Sequence, residues 1–449
     1  MTKTMKNVRE TALDLLETIE KNQSYSNLLL HHAIEKNKVP ERDVGLLTEL
    51  IYGTLQRQMT LDFYLEPFIN QSKKLEKWVR HLLRMTLYQL VFLDKIPDHA
   101  AIFEAVEIAK KRGHKGIAGV VNGVLRNIQR KGLPSLNEIT DPIKRVSVET
   151  SHPYWLVERW TKQFGIDKTK EMCELNLQAP TQTARVNLTL ITREQCIEKL
   201  QEEGFLVEPS TILLESIHCL KGNLASSHAY KEGFLTIQDE SSMLVAYALG
   251  VTENEKILDS CAAPGGKTSH IAEKLNGSGV VFSLDLHEHK VKLILENASR
   301  LRLSNIKAQA LDSRKVGEHF QGGTFDRILV DAPCSGLGVM RRKPDMKYTK
   351  REEDLNRLQS IQLDLLNAVS PLLKKDGILV YSTCTVDQEE NQAVIRAFLN
   401  QNLDFVGDNE WKERMPLAIQ PLIEQYDLQI FPQDFGSDGF YIACIRKKV

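Results

Sequence analysis

From Val8 to about Gln129, apolar residues recur at three-to-four spacing. Leu47, Leu50, Ile51 and Leu55 fall on one helical face, and Leu82, Leu83, Leu87, Leu90 and Val91 on another. Residues 1–140 are therefore expected to form an all-α domain, closed by a linker where Gly132 to Asp141 collect Gly, Pro, Ser and Asn. The period then changes. Ala184 to Leu190 alternates like a strand, Arg193 to Glu203 reads as a helix and Phe205 to Glu208 as another strand, which makes residues 141–235 a small α+β subdomain.

Beyond about Gly233, short apolar runs alternate with helical stretches. Lys256 to Ser260, Gly279 to Asp285, Ile306 to Leu311, Arg327 to Asp331 and Gly377 to Ser382 are the runs, while His287 to Arg302 and Glu352 to Leu373 have helical length and period. Mostly apolar strands suit a parallel sheet covered on both faces by helices. Residues 236–449 are thus expected to be a doubly wound, Rossmann-like α/β domain that binds ligands at the carboxyl ends of its strands.

Composition narrows the function classes. The 449 residues are 42% apolar and 26% charged, an ordinary soluble composition for several domains. Lys plus Arg (58) against Asp plus Glu (59) gives a net charge of −1, so contact with nucleic acid must be local. Residues 1–140 hold about 21 basic against about 16 acidic side chains. Glu107 is the one acid accompanying Lys110, Lys111, Arg112, Lys115, Arg126, Arg130 and Lys131 between Val106 and Lys131. That stretch reads either as a solvated helix face or as a phosphate-contacting surface.

No stretch approaches the roughly 18 apolar residues of a membrane span, and the N-terminus is polar. A cytoplasmic protein without a membrane partner is the expectation. The seven cysteines are scattered with no C-x-x-C pair, which argues against a metal site or a disulfide framework.

The first strand of the α/β domain runs into Asp259-Ser-Cys-Ala-Ala-Pro-Gly-Gly-Lys-Thr268. The next helix is expected near Ser269. Two readings compete. Cys261 to Thr268 fits a phosphate loop except that Cys261 replaces the first glycine, and Asp331 could serve as its magnesium acid, as in an RNA-remodelling ATPase. Alternatively, a nucleoside-type cofactor lies over Gly265 and Gly266, with Asp285, twenty residues beyond Gly265, accepting from the ribose hydroxyls. Asp312 could then reach the adenine edge, although a strand-end Asp such as Asp285 is commonly a helix cap.

Strand four ends in Asp331-Ala-Pro-Cys334-Ser-Gly, and strand five in Ser382-Thr-Cys384-Thr. Neighbouring strand ends would bring both thiols to one rim. A thiolate beside a methyl donor suits methylation of a pyrimidine C5, because addition at C6 makes the otherwise unreactive C5 nucleophilic. Lys267 and Arg341 could favour the thiolate, and Asp331 could bond the Watson–Crick edge of cytosine and promote N3 protonation. Spacing does not choose between the two cysteines.

At these residues the sequence resembles the RsmB/NOP family of RNA cytosine-5 methyltransferases. The matches are Cys-Ala-Ala-Pro-Gly-Gly-Lys267, Asp285, Asp312, Asp331-Ala-Pro-Cys-Ser-Gly336, Ser-Thr-Cys384, Ser437-Asp-Gly-Phe440, Ser151-His-Pro-Tyr-Trp155 and Gln238-Asp-Glu-Ser-Ser242. The helical N-terminus resembles the NusB RNA-binding domain, and the likeness covers nearly the whole chain.

The resemblance implies an all-α NusB-like domain, a small α+β subdomain and a class I methyltransferase domain. It implies S-adenosyl-L-methionine held by Cys261, Ala262, Ala263, Pro264, Gly265, Gly266, Lys267, Asp285, Asp312 and Asp331. It further implies Cys384 as nucleophile and Cys334 in product release. The implied partner is small-subunit (16S) ribosomal RNA, naked or partly assembled, with the target cytosine unpaired or flipped out. Action on another RNA, or RNA binding without catalysis, are the alternatives; a monomer that does not bind DNA is expected.

Overall fold

The computed structural model describes residues 7–22, 29–30, 33–34, 39–69 and 75–449. Two compact units emerge: Met1–Gln178 with Met340–Lys350, and Ala179–Val339 with Arg351–Val449.

Among the described residues, unit one contains α1 (Val8–Asn22), α2 (Glu41–Gln56), α3 (Gln58–Leu65), α4 (Lys77–Phe92), α5 (Asp98–Arg112), α6 (Lys115–Lys131), α7 (Pro142–Thr150), α8 (Tyr154–Phe164) and α9 (Ile166–Leu175). Of the periodic leucines, Leu47, Leu50, Leu82 and Leu87 are fully buried in one core, against which the partly buried Leu90 packs. Gly53 lets α2 meet α4 closely, since a Cβ there would lie 2.0 Å from the Tyr88 ring.

Unit one continues to Gln178. Asp141 accepts from the backbone N–H groups of Ile143 and Lys144 and so starts α7 inside the expected linker.

Charges at the end of α5 are matched by acids of α1. Lys111 pairs with Glu10 at 2.7 Å, and Arg112 with Asp14 at 2.7 Å and with Glu17, while Lys110 pairs with Glu107. On α6, by contrast, Arg126 and Arg130 donate to the neutral Gln129 and Asn127. The chain returns to unit one at 340–350, where Lys347 is fully buried and its Nζ donates to the Gln56 carbonyl at 2.8 Å. Burial pushes that ammonium down to about 7.

Unit two begins with β1 (Gln182–Val186), β2 (Leu206–Pro209), β3 (Ser216–Lys221) and β4 (Leu235–Ile237), an antiparallel sheet in the order β2-β3-β1-β4, with helix α10 (Arg193–Glu202) between β1 and β2. Its own small core includes Ala184, Val186, Cys196 and Leu200.

The larger sheet holds β5 (Lys256–Asp259), β6 (Val280–Asp285), β7 (Ile306–Ala310), β8 (Phe325–Asp331) and β9 (Leu373–Thr383), parallel in the order β7-β6-β5-β8-β9. These are the five expected strands. The sheet is mixed, however: β12 (Phe440–Lys447) runs antiparallel to β9 and carries β10 (Phe405–Gly407) and β11 (Asp427–Ile430) antiparallel beside it. The short β11–β12 connection leaves no length for a crossover, so the chain must reverse direction.

Successive residues along the strands alternate faces. Ile257, Val281 and Leu329 enter one buried core, and Leu258, Leu284, Ile328 and Val330 the other. No helix among the described residues is long and apolar enough to cross a membrane.

Candidate active site at the strand ends

Parallel strands deliver their carboxyl ends to one rim. Here β5, β6, β8 and β9 lie side by side, so the loops leaving their carboxyl ends are brought together. After β5 the chain turns through Ser260 to Gly265 and enters α11 (Gly266–Lys274), three residues earlier than expected. Ser260 N–H bonds the Leu329 carbonyl and Ala262 N–H the Leu284 carbonyl, pinning the loop to β8 and β6. Gly265 adopts φ +102°, and a Cβ there would sit 3.2 Å from the Ile294 backbone. A Cβ on Gly266 would meet nothing nearer than Gln238 at 3.9 Å, which leaves the loop surface open.

Inside the loop, Thr268 donates to Asp259 at 2.6 Å. Asp259 is fully buried and its other oxygen has no hydrogen-bond partner. Burial pushes this carboxyl up to about 7, opposed by the Thr268 bond and reinforced by Asp331. Cys261 is half-buried, and burial followed by the charges of Asp259 and Asp331 pushes its thiol well up.

Asp285 ends β6 and accepts from His287 N–H at 3.2 Å, with Lys290 Nζ at 3.8 Å. Asp312, just beyond β7, caps the next turn through Arg314 N–H and is also gripped by the Arg314 guanidinium at 2.7 Å, whose hydrogen bond holds the carboxyl below its usual range. Asp312 therefore does the capping that strand-end carboxylates commonly do, whereas Asp285 bonds only the N–H of His287, the residue that starts the next helix.

Lys267, Asp331, Cys334 and Cys384 come together. Lys267 Nζ donates to Asp331 at 2.8 Å and lies 5.0 Å from the centroid of the Phe440 ring. Ser382 donates to the other Asp331 oxygen at 2.8 Å. Burial would lower the Lys267 ammonium, but Asp331 outweighs it, with a smaller contribution from Cys384, and holds it above its ordinary value. Cys334 Sγ and Cys384 Sγ are 3.3 Å apart. The Cys334 thiol is raised far above its usual range, first by the hydrogen bond to Cys384, then by burial, with the negative charges of Glu390 and Asp331 adding to both. Charge on Cys384 thus helps to hold the Lys267 ammonium up, while Glu390 and Asp331 help to hold the Cys334 thiol up.

Backbone contacts lock three loops at this place. Gly338 N–H donates to the Cys384 carbonyl at 3.0 Å, and Gly439 N–H to the Gly338 carbonyl at 2.9 Å. A Cβ on Gly338 would stand 1.9 Å from the Gly439 oxygen. The Asp438-Gly-Phe440 segment singled out in the sequence therefore closes the rim. Arg341 lies in the 340–350 segment grouped with unit one.

Two residues around the site are invisible to motif reading. Arg185 on β1 is fully buried and donates to Glu273 at 2.8 and 2.9 Å, to the Gly266 carbonyl at 3.0 Å, to Ser269 at 2.9 Å and to Gln238. The small sheet thereby grips the first turn of α11. Glu390 is buried behind the two cysteine loops. The remaining cysteines 173, 196, 219 and 444 are buried, and burial holds their thiols up, to about 12 for Cys173, Cys196 and Cys444.

Residues 246–446 match a family described as 16S rRNA methyltransferase RsmB/F, residues 6–130 the NusB family, and residues 152–223 a ferredoxin-like domain of RsmF/B-like methyltransferases. The probable ribosomal RNA small subunit methyltransferase B of Bacillus subtilis (strain 168) is 52% identical over 98% of this chain and 99% of its own. The ribosomal RNA small subunit methyltransferase B of Proteus mirabilis (strain HI4320) is 34% identical over 99% and 100%. Among solved structures, PH0851 superposes with a TM-score of 0.82 at 24% identity, covering 99% of this chain and 100% of that one. NSun6 from Pyrococcus horikoshii with SFG gives 0.58 at 22% identity, covering 65% and 97%. The likeness holds from the NusB-like helices through the ferredoxin-like sheet to the methyltransferase rim, and the chain belongs to the RsmB/F family of 16S rRNA methyltransferases.

Proposed function

We propose that this S-adenosylmethionine-dependent rRNA methyltransferase modifies C5 of a cytosine in small-subunit ribosomal RNA through a transient covalent bond from Cys384 to C6. The carrying observation is the pair of sulfurs 3.3 Å apart, with Lys267 and Asp331 bonded to each other beside them.

The residues fit the cofactor. The Gly265-Gly266 turn is open on its outer side, and Asp285 offers a carboxylate at the neighbouring strand end for ribose hydroxyls. Cys261 to Lys267, Asp285, Asp312 and Asp331 would hold it. S-adenosylmethionine supplies an electrophilic methyl group on a sulfonium.

Cys384 gives its proton to solvent and Lys267 favours the thiolate, whose lone pair forms the S–C6 bond while Asp331 orients the cytosine edge and N3 takes up a proton from solvent. The resulting electron-rich C5 takes the methyl group that S-adenosylmethionine would supply, with S-adenosylhomocysteine as the leaving group. Cys334 passes its thiol proton to solvent and takes the C5 proton in its place, the C5–C6 double bond re-forms, the S–C6 electron pair returns to Cys384, and N3 releases its proton. The NusB-like helices and the small sheet hold flanking phosphates and select the base that reaches the rim.

Bisulfite sequencing of small-subunit RNA from a strain lacking the protein tests the reaction and the target together, with one methylated cytosine expected to vanish. In vitro, Cys384→Ala should lower methyl transfer by at least about 10³-fold, and Cys334→Ala should accumulate a denaturation-resistant RNA–protein adduct. Full activity of Cys384→Ala would remove the nucleophile.

A further inference from the structure

We infer that Glu390 is a positioning residue: its buried carboxylate locks the loop carrying Cys334 against the loop carrying Cys384, and so sets the approach of one sulfur to the base held by the other. This rests on the proposed covalent mechanism and adds to it the element that registers the two thiols.

The argument starts from donors. Glu390 Oε2 accepts from Ser335 N–H at 2.7 Å and from Gln362 Nε2 at 3.1 Å, while Oε1 accepts from the Ser335 hydroxyl. Gln362 Nε2 also donates to the Pro333 carbonyl at 3.0 Å. The peptide groups on both sides of Cys334 are therefore held by one carboxylate and the amide beside it. Across the rim, Asn391 donates to the Thr385 carbonyl at 3.0 Å and accepts from Thr383 at 2.5 Å, which holds both sides of Cys384. The Ser335 and Thr385 hydroxyls, 3.0 Å apart, join the two halves. Tyr381 fixes the base of the clamp by donating to the Glu390 carbonyl at 2.6 Å.

Glu390 is fully buried, and its side-chain partners Ser335 and Gln362 are neutral. Burying a carboxylate without a cation is costly, and a structural filler would not need the charge. Three donors converging on an acceptor-only group do need it, because an amide would turn an N–H toward one of them. The clamp acts on reaction geometry, where a displacement of about 1 Å can cost about 10²-fold in rate.

The test uses the full-length protein, S-adenosylmethionine and a small-subunit RNA transcript. Glu390→Gln should keep cofactor affinity and the KM for RNA within about twofold, lower kcat by about 10- to 10²-fold, and accumulate RNA adduct as Cys334→Ala does. Glu390→Asp should recover part of the rate. Adding Cys384→Ala to Glu390→Gln should abolish the adduct. Wild-type kcat in Glu390→Gln, or a loss in KM and cofactor binding with no adduct, overturns the inference. Should Glu390→Gln fail to fold, Ser335→Ala must show the same adduct at smaller amplitude, and wild-type turnover there overturns it as well. Methylation of C5 by Cys384→Ala would instead bring down the covalent reading itself, so the two failures are distinguishable.

Discussion

The rim of the large sheet and the end of α5 both concentrate charge, but under different solvation. At the rim, Lys267 and Asp331 leave 14% and 26% of their side chains exposed. At the end of α5, Lys111 exposes 70% of its side chain even while bonded to Glu10, and Lys110 and Glu107 are about half exposed. Water competes for the second group and much less for the first, so equal distances carry unequal energies. The cations at the end of α5 are neutralised by acids in solvent-accessible pairs, whereas the Lys267–Asp331 pair in the glycine loop is largely withdrawn from water.

The largest expected effect comes from breaking the rim pair. Lys267→Met should lower methyl transfer by about 10²-fold or more and shift the pH dependence of turnover upward, because the thiolate of Cys384 loses its cation. A rate–pH profile checks this.

Next is Arg185. Arg185→Met strands Glu273 in the interior and should cost about 3–5 kcal/mol in urea unfolding. Arg185→Met combined with Glu273→Leu should recover much of the loss.

Asp259 sharpens the comparison through pH. Its folded value of about 7 exceeds the roughly 3.9 of an unfolded aspartate, so the native state binds the extra proton. The stability this supplies is complete below about pH 4 and is lost as pH rises toward 7. In thermal unfolding across that window, Asp259→Asn should flatten the decline.

The smallest effect belongs to α5. Lys111→Ala should change stability by less than about 1 kcal/mol. Replacing Arg126 and Arg130 with Ala should reduce the salt slope of RNA binding by up to about 2, more than replacing Lys110 and Lys111 does. Equal slopes would return α6 to an ordinary solvated surface.

The contrast also explains what could be read from the sequence. Strands β5, β6, β8 and β9 were legible because burial on both faces leaves mostly apolar runs, and the rim cysteines because their flanking Pro, Ser and Thr do not suit a core. Arg185, Lys347 and Glu390 were not, since each is a charged residue whose interior position depends on partners remote in the chain. The Glu390-Asn391 pair after Thr383-Cys-Thr385 was the available signal. Residues 340–350 are rich in Arg and Lys, yet Lys347 is buried among the helices. The antiparallel end of the sheet was missed because β12, buried from Phe440 to Ile445, carries the uninterrupted apolar run of a parallel strand.

The contact of Gly338 with Gly439 and the Cys384 carbonyl has a consequence for biosynthesis. Gly439 is synthesised long after both cysteines, so the two sulfurs acquire their final registry only once that segment has left the ribosome. Truncation ahead of Asp438 should therefore abolish methyl transfer.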